Sequence, residues 1–231
     1  MQSTLNSKIH LAIIMDGNRR WAAARGLSHV EGHDAGAQAL RRIVEAAPAH
    51  GIATLTVYAF AAENWRRPKE ETDAMMALFS RYLDSETEAL VRDGVRLSVI
   101  GRRDRMDAAL VAEIERSEAA TEWGDAMHLR LAVDYSARAA ILETARRLGP
   151  DAASETFGAS LSGDCGDVDF LVRTGNDQRL SDFLLWECAY AELHFTPCLW
   201  PDFGEKELAA SLKDFQSRRR AAGLSAAPRA A

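Results

Sequence analysis

Cysteine is scarce in this chain: there are three, Cys165, Cys188 and Cys198, with no paired spacing. That excludes a disulfide framework and points to a reducing compartment. Long hydrophobic runs are missing as well, and no apolar stretch approaches the roughly 20 residues that cross a bilayer. The opening residues, Met1 to Lys8, carry neither the basic nor the apolar region of a signal peptide. Positive charge is in deficit, 28 Lys and Arg against 34 Asp and Glu, for a net charge of −6. This excludes a general nucleic-acid binder, whose affinity comes largely from phosphate neutralisation. Any anion bound here must be held by local arginine clusters. The expectation is a soluble, cytoplasmic protein with no nucleic-acid partner.

What is present is an alternation of strand-like and helix-like runs over 231 residues. Strands are predicted at Ile9–Met15, Ala53–Phe60, Arg96–Ile100, His128–Tyr135, Val168–Arg173 and Leu193–Thr196. Helical periodicity is read at 34–50, 69–93, 105–122, 137–148, 181–191 and 205–222. The alternation implies an α/β fold with a mostly parallel six-stranded sheet flanked by helices. Residues 149–167 read as a surface loop and 221–231 as a flexible tail, with 1–231 forming a single domain. Parallel sheets bind ligands outside the carboxyl ends of their strands, so Asp16, Asn64 and Arg173 should converge on one edge.

Three constellations carry chemistry. In the first, the apolar run Ile9–Ile14 is followed by Met15-Asp16-Gly17-Asn18-Arg19-Arg20-Trp21. A strand, a tight turn and a helix N-terminus make an anion site, because free N–H groups point outward there. Asp16 beside two arginines suggests a magnesium-bound phosphate, although an Asp in this position most often caps the following helix. The second is Phe60-Ala61-Ala62-Glu63-Asn64-Trp65-Arg66-Arg67-Pro68, an aromatic strand end running into a polar loop. Phe60 and Trp65 would face an apolar substrate, with Asn64 giving polar contact. The dull alternative is a core aromatic and a solvated loop. In the third, Arg173, Arg179, Leu180 and Ser181 follow a strand; the arginines and the Ser181 hydroxyl suit a diphosphate, with Ser181 at a helix N-cap position. Two arginine-bearing sites on one edge suggest two phosphorylated substrates. His29 and His33 share a helix face without the further ligands zinc needs, so a phosphate contact is the better reading for His33. The stripe Met75, Leu78, Phe79, Tyr82, Leu83, Leu90 and Val91 suits either core or a cleft for a hydrocarbon chain.

Taken together, these groups resemble the cis-prenyltransferase family, over about His10 to Arg220. The resemblance rests on His10 to Ala22, Gly32-His33-Asp34-Ala35-Gly36, Tyr58 to Phe60 with Glu63 to Pro68, Arg173 to Gly175 with Gln178 to Trp186, Ala189 to Leu193, and Trp200 to Phe203. It implies extension of an allylic diphosphate by isopentenyl diphosphate in Z configuration, an apolar tunnel for the prenyl chain, and a homodimer whose product associates with the membrane surface. By the same resemblance Asp16 and Glu192 would bind Mg²⁺. Gly17, Asn18, Arg19, Arg20, Trp21, His29 and His33 would hold the allylic diphosphate. Asn64 would accept a proton, with Phe60, Ala61, Ala62, Glu63, Trp65 and Arg67 around the prenyl chain. Arg173, Arg179, Leu180 and Ser181 would hold isopentenyl diphosphate. The chain departs from the pattern at His29, where arginine is usual, at Ala61, where serine is common, and at Asp134-Tyr135-Ser136-Ala137-Arg138, in place of Asn-Tyr-Gly-Gly-Arg. The C-terminal Arg-x-Gly reads Ala221-Ala222-Gly223, with Arg220 one place earlier. These departures leave open a short-chain variant, or a catalytic subunit that needs a partner. A haloacid-dehalogenase-like phosphatase would need a second aspartate where Asn18 stands. A non-catalytic regulatory subunit would lack Asp16.

Overall fold

The computed structural model describes residues 8–221. Six strands, β1 (Ile9–Ile14), β2 (Ile52–Ala61), β3 (Val95–Ile100), β4 (Met127–Tyr135), β5 (Phe170–Arg173) and β6 (Glu192–Phe195), form one sheet in the order β3-β4-β2-β1-β5-β6, and every pairing is parallel. Strict alternation along β1 explains the layering. Leu11 and Ile13 join a core shared with Leu55, Val57, Leu129, Leu131, Phe170 and Val172, while Ala12 and Ile14 join a second core with Leu171, Phe183 and Leu184 on the other face. The first face is covered by α2 (His29–Ala46), α3 (Lys69–Arg92), α4 (Ala108–Ala120) and α7 (Glu205–Ala221), and the second by α5 (Ala137–Leu148), with α6 (Ser154–Ser162) packed against α5. A short α1 (Asn18–Ala23) leads from β1 into α2.

From β1 the chain first builds one half of the sheet and then crosses to β5 on the far side of β1. The crevice of such a sheet opens where this order reverses, between the carboxyl ends of β1 and β5. Asp16 follows one of these strands and Arg173 ends the other.

Three expectations need correction. Residues 181–191 form turns rather than a helix. Ser181, Asp182 and Leu184 take positive φ angles, and the Asp182 carbonyl and carboxylate are committed to the amino end of α5. There they accept hydrogen bonds from the N–H groups of Ala137 and Arg138 and from the Ser136 hydroxyl. The stretch 149–167 is not all loop, since α6 lies within it. The helix expected from residue 34 begins at His29, because Ser28 and Glu31 form a reciprocal capping box. The 221–231 tail and Gly223 fall outside the described residues from position 222 onward, as does the side chain of Arg220.

Gly32 and Gly36 let α1 lie directly on α2. A Cβ on Gly36 would stand 2.6 Å from Asn18 Oδ1, and one on Gly32 would stand 2.5 Å from the Asn18 backbone oxygen. Gly36→Ala should therefore displace Asn18 and cost about 1–3 kcal/mol, as overpacking does. Thermal denaturation checks this, and an unchanged Tm would show that α1 gives way freely.

Candidate active site

Asp16 is fixed by its backbone before its side chain acts. Its N–H donates to Thr174 Oγ1 at 2.9 Å, the Thr174 hydroxyl donates to the Asp16 carbonyl at 2.7 Å, and the Trp200 N–H donates to the same carbonyl at 3.1 Å. The β1 and β5 ends are thus stitched together under the site. The carboxylate does not cap α1; the N-cap is Gly17 (φ 116°), and no side chain bonds there. Gly17 is required because a Cβ would also stand 2.9 Å from Leu199 Cδ2.

The two Asp16 carboxylate oxygens meet two arginines: Arg20 Nη2 lies 3.2 Å from Oδ1 and Arg173 Nη2 lies 2.8 Å from Oδ2. Desolvation by burial pushes the Asp16 pKa upward, but the hydrogen bonds and charges of Arg173 and Arg20 outweigh it, and the carboxyl sits below its ordinary value. It stays ionised at neutral pH. Arg173 is the hub. Its side chain is only 4 % exposed, and it also donates to Asp177 at 3.2 Å, to the Ser181 hydroxyl at 2.8 Å and to the Arg179 carbonyl at 2.5 Å. Arg179 is 65 % exposed and is steered by Asp177 at 2.5 Å. One guanidinium, that of Arg173, therefore links the Asp16 loop to Asp177 and Ser181. Asp177 was missed as a site residue. Its spacing of four from Arg173 and two from Arg179 was the available signal.

On the other side of Asp16, Asn18 Nδ2 lies 3.5 Å from His33 Nδ1, while Asn18 Oδ1 and His33 Nε2 are buried without protein partners. Burial, then the charge of Arg67, depress the His33 pKa, so its ring is neutral at pH 7. Arg67 is held by Glu71 at 2.8 Å, and Arg19 stands 3.7 Å from the same carboxylate and 3.5 Å from His29 Nε2. His29 therefore extends the Arg19 cluster. Trp21 is turned elsewhere: its indole N–H donates to Asp202 at 2.7 Å and Arg25 stacks on its ring.

Phe60, at the end of β2, is buried and meets Trp65 edge-on at 5.2 Å, with Arg105 over the indole. Asn64 and Trp65 belong to a 3₁₀ turn, Ala62–Arg66, that follows Ala61. Glu63 lies exposed in this turn. Leu180 packs on the second core rather than on Asp16. The altered Asp134 is structural, a buried residue at φ 49° that takes a bidentate bond from Arg105.

An apolar cavity of about 90 Å³ opens beside Asn18 and His33, between the sheet and helices α2 and α3, and is lined by Met15, Phe60, Met75, Phe79, Tyr82 and Trp200 among others. The α3 stripe thus serves core and cavity together.

Glu192 does not join Asp16 within one chain. It opens β6 in register with Phe170, whereas Asp16 lies beyond the pair Ile14 and Arg173 at the opposite ends of these strands. Its carboxylate instead takes a 3.0 Å bond from Arg218.

Comparison with known proteins fits this geometry. The prenyltransferase family model described as undecaprenyl diphosphate synthase matches residues 14–223. Isoprenyl transferase 1 of Bradyrhizobium diazoefficiens is 53% identical, covering 98% of this chain and 95% of its own. A ditrans,polycis-undecaprenyl-diphosphate synthase of Pectobacterium atrosepticum, specific for (2E,6E)-farnesyl diphosphate, is 45% identical over 93% and 89%. Among solved structures, lavandulyl diphosphate synthase from Lavandula x intermedia, in complex with dimethylallyl diphosphate, superposes with a TM-score of 0.86 at 34% identity over 90% and 94% of the two chains. A probable undecaprenyl diphosphate synthase from Campylobacter jejuni gives 0.80, also at 34% identity, over 95% and 100%. With an arginine-clamped aspartate at the sheet's crevice, an apolar cavity beside it and these relatives along nearly its whole length, the chain belongs to the undecaprenyl diphosphate synthase family of prenyltransferases.

Proposed function

We propose that this chain extends an allylic diphosphate, farnesyl diphosphate as the reference primer, by isopentenyl diphosphate units in Z configuration, making a polyprenyl diphosphate lipid carrier. The observation that carries the reading is the Asp16–Arg173 contact at 2.8 Å where β1 and β5 part, next to an apolar cavity. In each round the allylic C1–O bond breaks and diphosphate departs with its electron pair. Isopentenyl C4 forms the new bond to C1, and a proton leaves isopentenyl C2. The allylic diphosphate is assigned to Asn18, Arg19, Arg20, His29, His33 and Arg67, and the isopentenyl diphosphate to Arg173, Arg179 and Ser181. Asn64, in the turn after β2, is assigned to the removal of the proton. Fixing both diphosphates aligns the reacting carbons and takes up the charge that develops on the leaving group.

The donor set fits Mg²⁺, which is held by one or two carboxylates together with substrate phosphates. Asp16 is the ionised, partly open carboxylate of the site, and the ion when bound supplies charge stabilisation for the departing diphosphate. We assign Glu192 to a homodimer. β6 is an edge strand, and Tyr190 (93% exposed), Leu193 and Trp186 leave apolar surface uncovered around it. Antiparallel pairing of two β6 edges would carry Glu192 toward the partner's Asp16. The three free cysteines and the lack, among described residues, of a helix able to cross a membrane suit a cytoplasmic enzyme whose product meets the membrane surface.

A shorter product is the second reading, favoured by a cavity of only about 90 Å³ with the bulky Phe79 and Tyr82 in its lining. Incubation with labelled isopentenyl diphosphate and a panel of primers, followed by sizing of the products, decides between them; no incorporation in the presence of Mg²⁺ would overturn both. Arg179→Ala should raise the KM for isopentenyl diphosphate by roughly 10–150-fold, the loss of one charge-assisted contact. The primer KM should stay within a few-fold, because Arg179 does not touch Asp16. An equal rise in both constants would remove Arg179 from the isopentenyl site.

A further inference from the structure

At the amino ends of β3 and β4, the end of the sheet away from Asp16, three metal-ligating side chains from distant parts of the sequence meet. His128 lies on β4, and Asp164 and Cys165 in the 3₁₀ turn Gly163–Cys165 that follows α6. One donor atom from each lies within 4.8 Å of the others. Cys165 Sγ is 3.3 Å from His128 Nδ1. In a tetrahedral zinc site, bonds of about 2.0 Å to nitrogen and 2.3 Å to sulfur put these two atoms about 3.5 Å apart. The observed pair is thus already at chelating distance. His128 is also in the right form. Its Nε2 faces the Ser98 hydroxyl at 2.6 Å, and its Nδ1 accepts from Arg96 Nη2 at 2.7 Å, so the lone pair of a neutral ring points into the cluster. Burial, and then Arg96, push its pKa down to about 4. A ring nitrogen fixed by a second partner is how metal-bound histidines are oriented.

Arg96 occupies the centre of the cluster. The same Nη2 that meets His128 also donates to Asp164 at 2.6 Å. A positive charge thus already sits where the three donors converge, on a side chain one-third exposed.

We propose that His128 Nδ1, Cys165 Sγ and an Asp164 carboxylate oxygen form a three-ligand site for a thiophilic divalent cation such as Zn²⁺, which displaces the Arg96 guanidinium and ties the α6–β5 connection to the β3–β4 edge. Binding breaks the Cys165 S–H bond and releases that proton to solvent; the thiolate electron pair goes to the metal, and no electron is transferred. Water completes the coordination.

The test uses the full-length chain stripped with chelator and titrated with Co²⁺. We expect one Co²⁺ per chain, with the near-ultraviolet thiolate-to-cobalt band that oxygen ligands at Asp16 cannot produce, bleached by stoichiometric Zn²⁺. Cys165→Ser should abolish the band, whereas Cys188→Ser and Cys198→Ser should keep it. Arg96→Gln should tighten Zn²⁺ binding by roughly 10-fold or more, since the resident cation's charged hydrogen bonds no longer compete. A merely destabilised variant would not bind tighter. Turnover of Cys165→Ser with Mg²⁺ should match that of the parent. Absence of the band at stoichiometric Co²⁺, its survival in Cys165→Ser, or weaker binding by Arg96→Gln would each overturn the proposal.

Discussion

Asp16→Ala should lower turnover by at least ~10²–10³ while leaving the chain folded, the scale of removing a key electrostatic group from a transition state. The fold tolerates the loss because the Asp16 side chain is 27 % exposed and the contacts that hold the loop come from its backbone, through Thr174 and Trp200. Arg173 keeps Asp177, the Ser181 hydroxyl and the Arg179 carbonyl as partners, so no buried charge is stranded. Single-turnover rates together with a thermal melt separate the two effects. Near-normal turnover with unchanged magnesium dependence would refute the assignment, and a collapsed Tm would move Asp16 from chemistry to structure.

Arg173→Ala should be damaging in a different way, raising the KM for both substrates, lowering kcat by on the order of 10²-fold and costing about 2–3 kcal/mol of stability. The reason is shared use. One nearly buried guanidinium holds Asp16, on the side proposed for the allylic diphosphate, and Asp177 and Ser181, on the side proposed for isopentenyl diphosphate. Without it, two carboxylates face each other with one cation fewer. Steady-state kinetics with each substrate varied in turn provide the check. A rise confined to the isopentenyl KM would restore two independent sites and contradict the shared-hub reading. Comparison with Arg179→Ala sharpens the test, since that side chain is mostly exposed and bonds Asp177 rather than Asp16.

Strands β1, β4 and β5 were legible in the sequence because each is a largely apolar run buried on both faces of a parallel sheet, whereas β3 alternates between buried and half-buried positions and the edge strand β6 is only partly buried. The residues at their carboxyl ends were legible for the same reason: once Ile9–Ile14 and Phe170–Arg173 are parallel neighbours, Asp16 and Arg173 must share an edge. The helix expected at 181–191 failed because its apolar periodicity comes from Phe183, Leu184 and Cys188 filling the second core, while Asp182 turns its backbone to the start of α5. Periodicity reports burial and cannot tell helix from a packed turn of the same spacing. Asp177 escaped notice because a carboxylate among arginines reads as charge balance until its hydrogen bonds are seen. Glu192 looked like a partner for Asp16, and only strand register shows that three residues of β6 separate it from the end where Asp16 sits.

The sequence by itself determined the class of fold, the placing of Asp16 and Arg173 at one edge of a parallel sheet, and the family, because all of these follow from runs and motifs contiguous along the chain; that β1 and β5 are neighbours came from the tertiary structure. Only the tertiary structure decided that Arg173 bonds Asp16, Asp177 and Ser181 together, that Glu192 lies away from Asp16 in its own chain, and that His128, Asp164 and Cys165 meet around Arg96. Those facts depend on side-chain contacts between distant segments, Asp16 and Arg173 being 157 residues apart, and such contacts are fixed by packing and register, which local spacing does not encode.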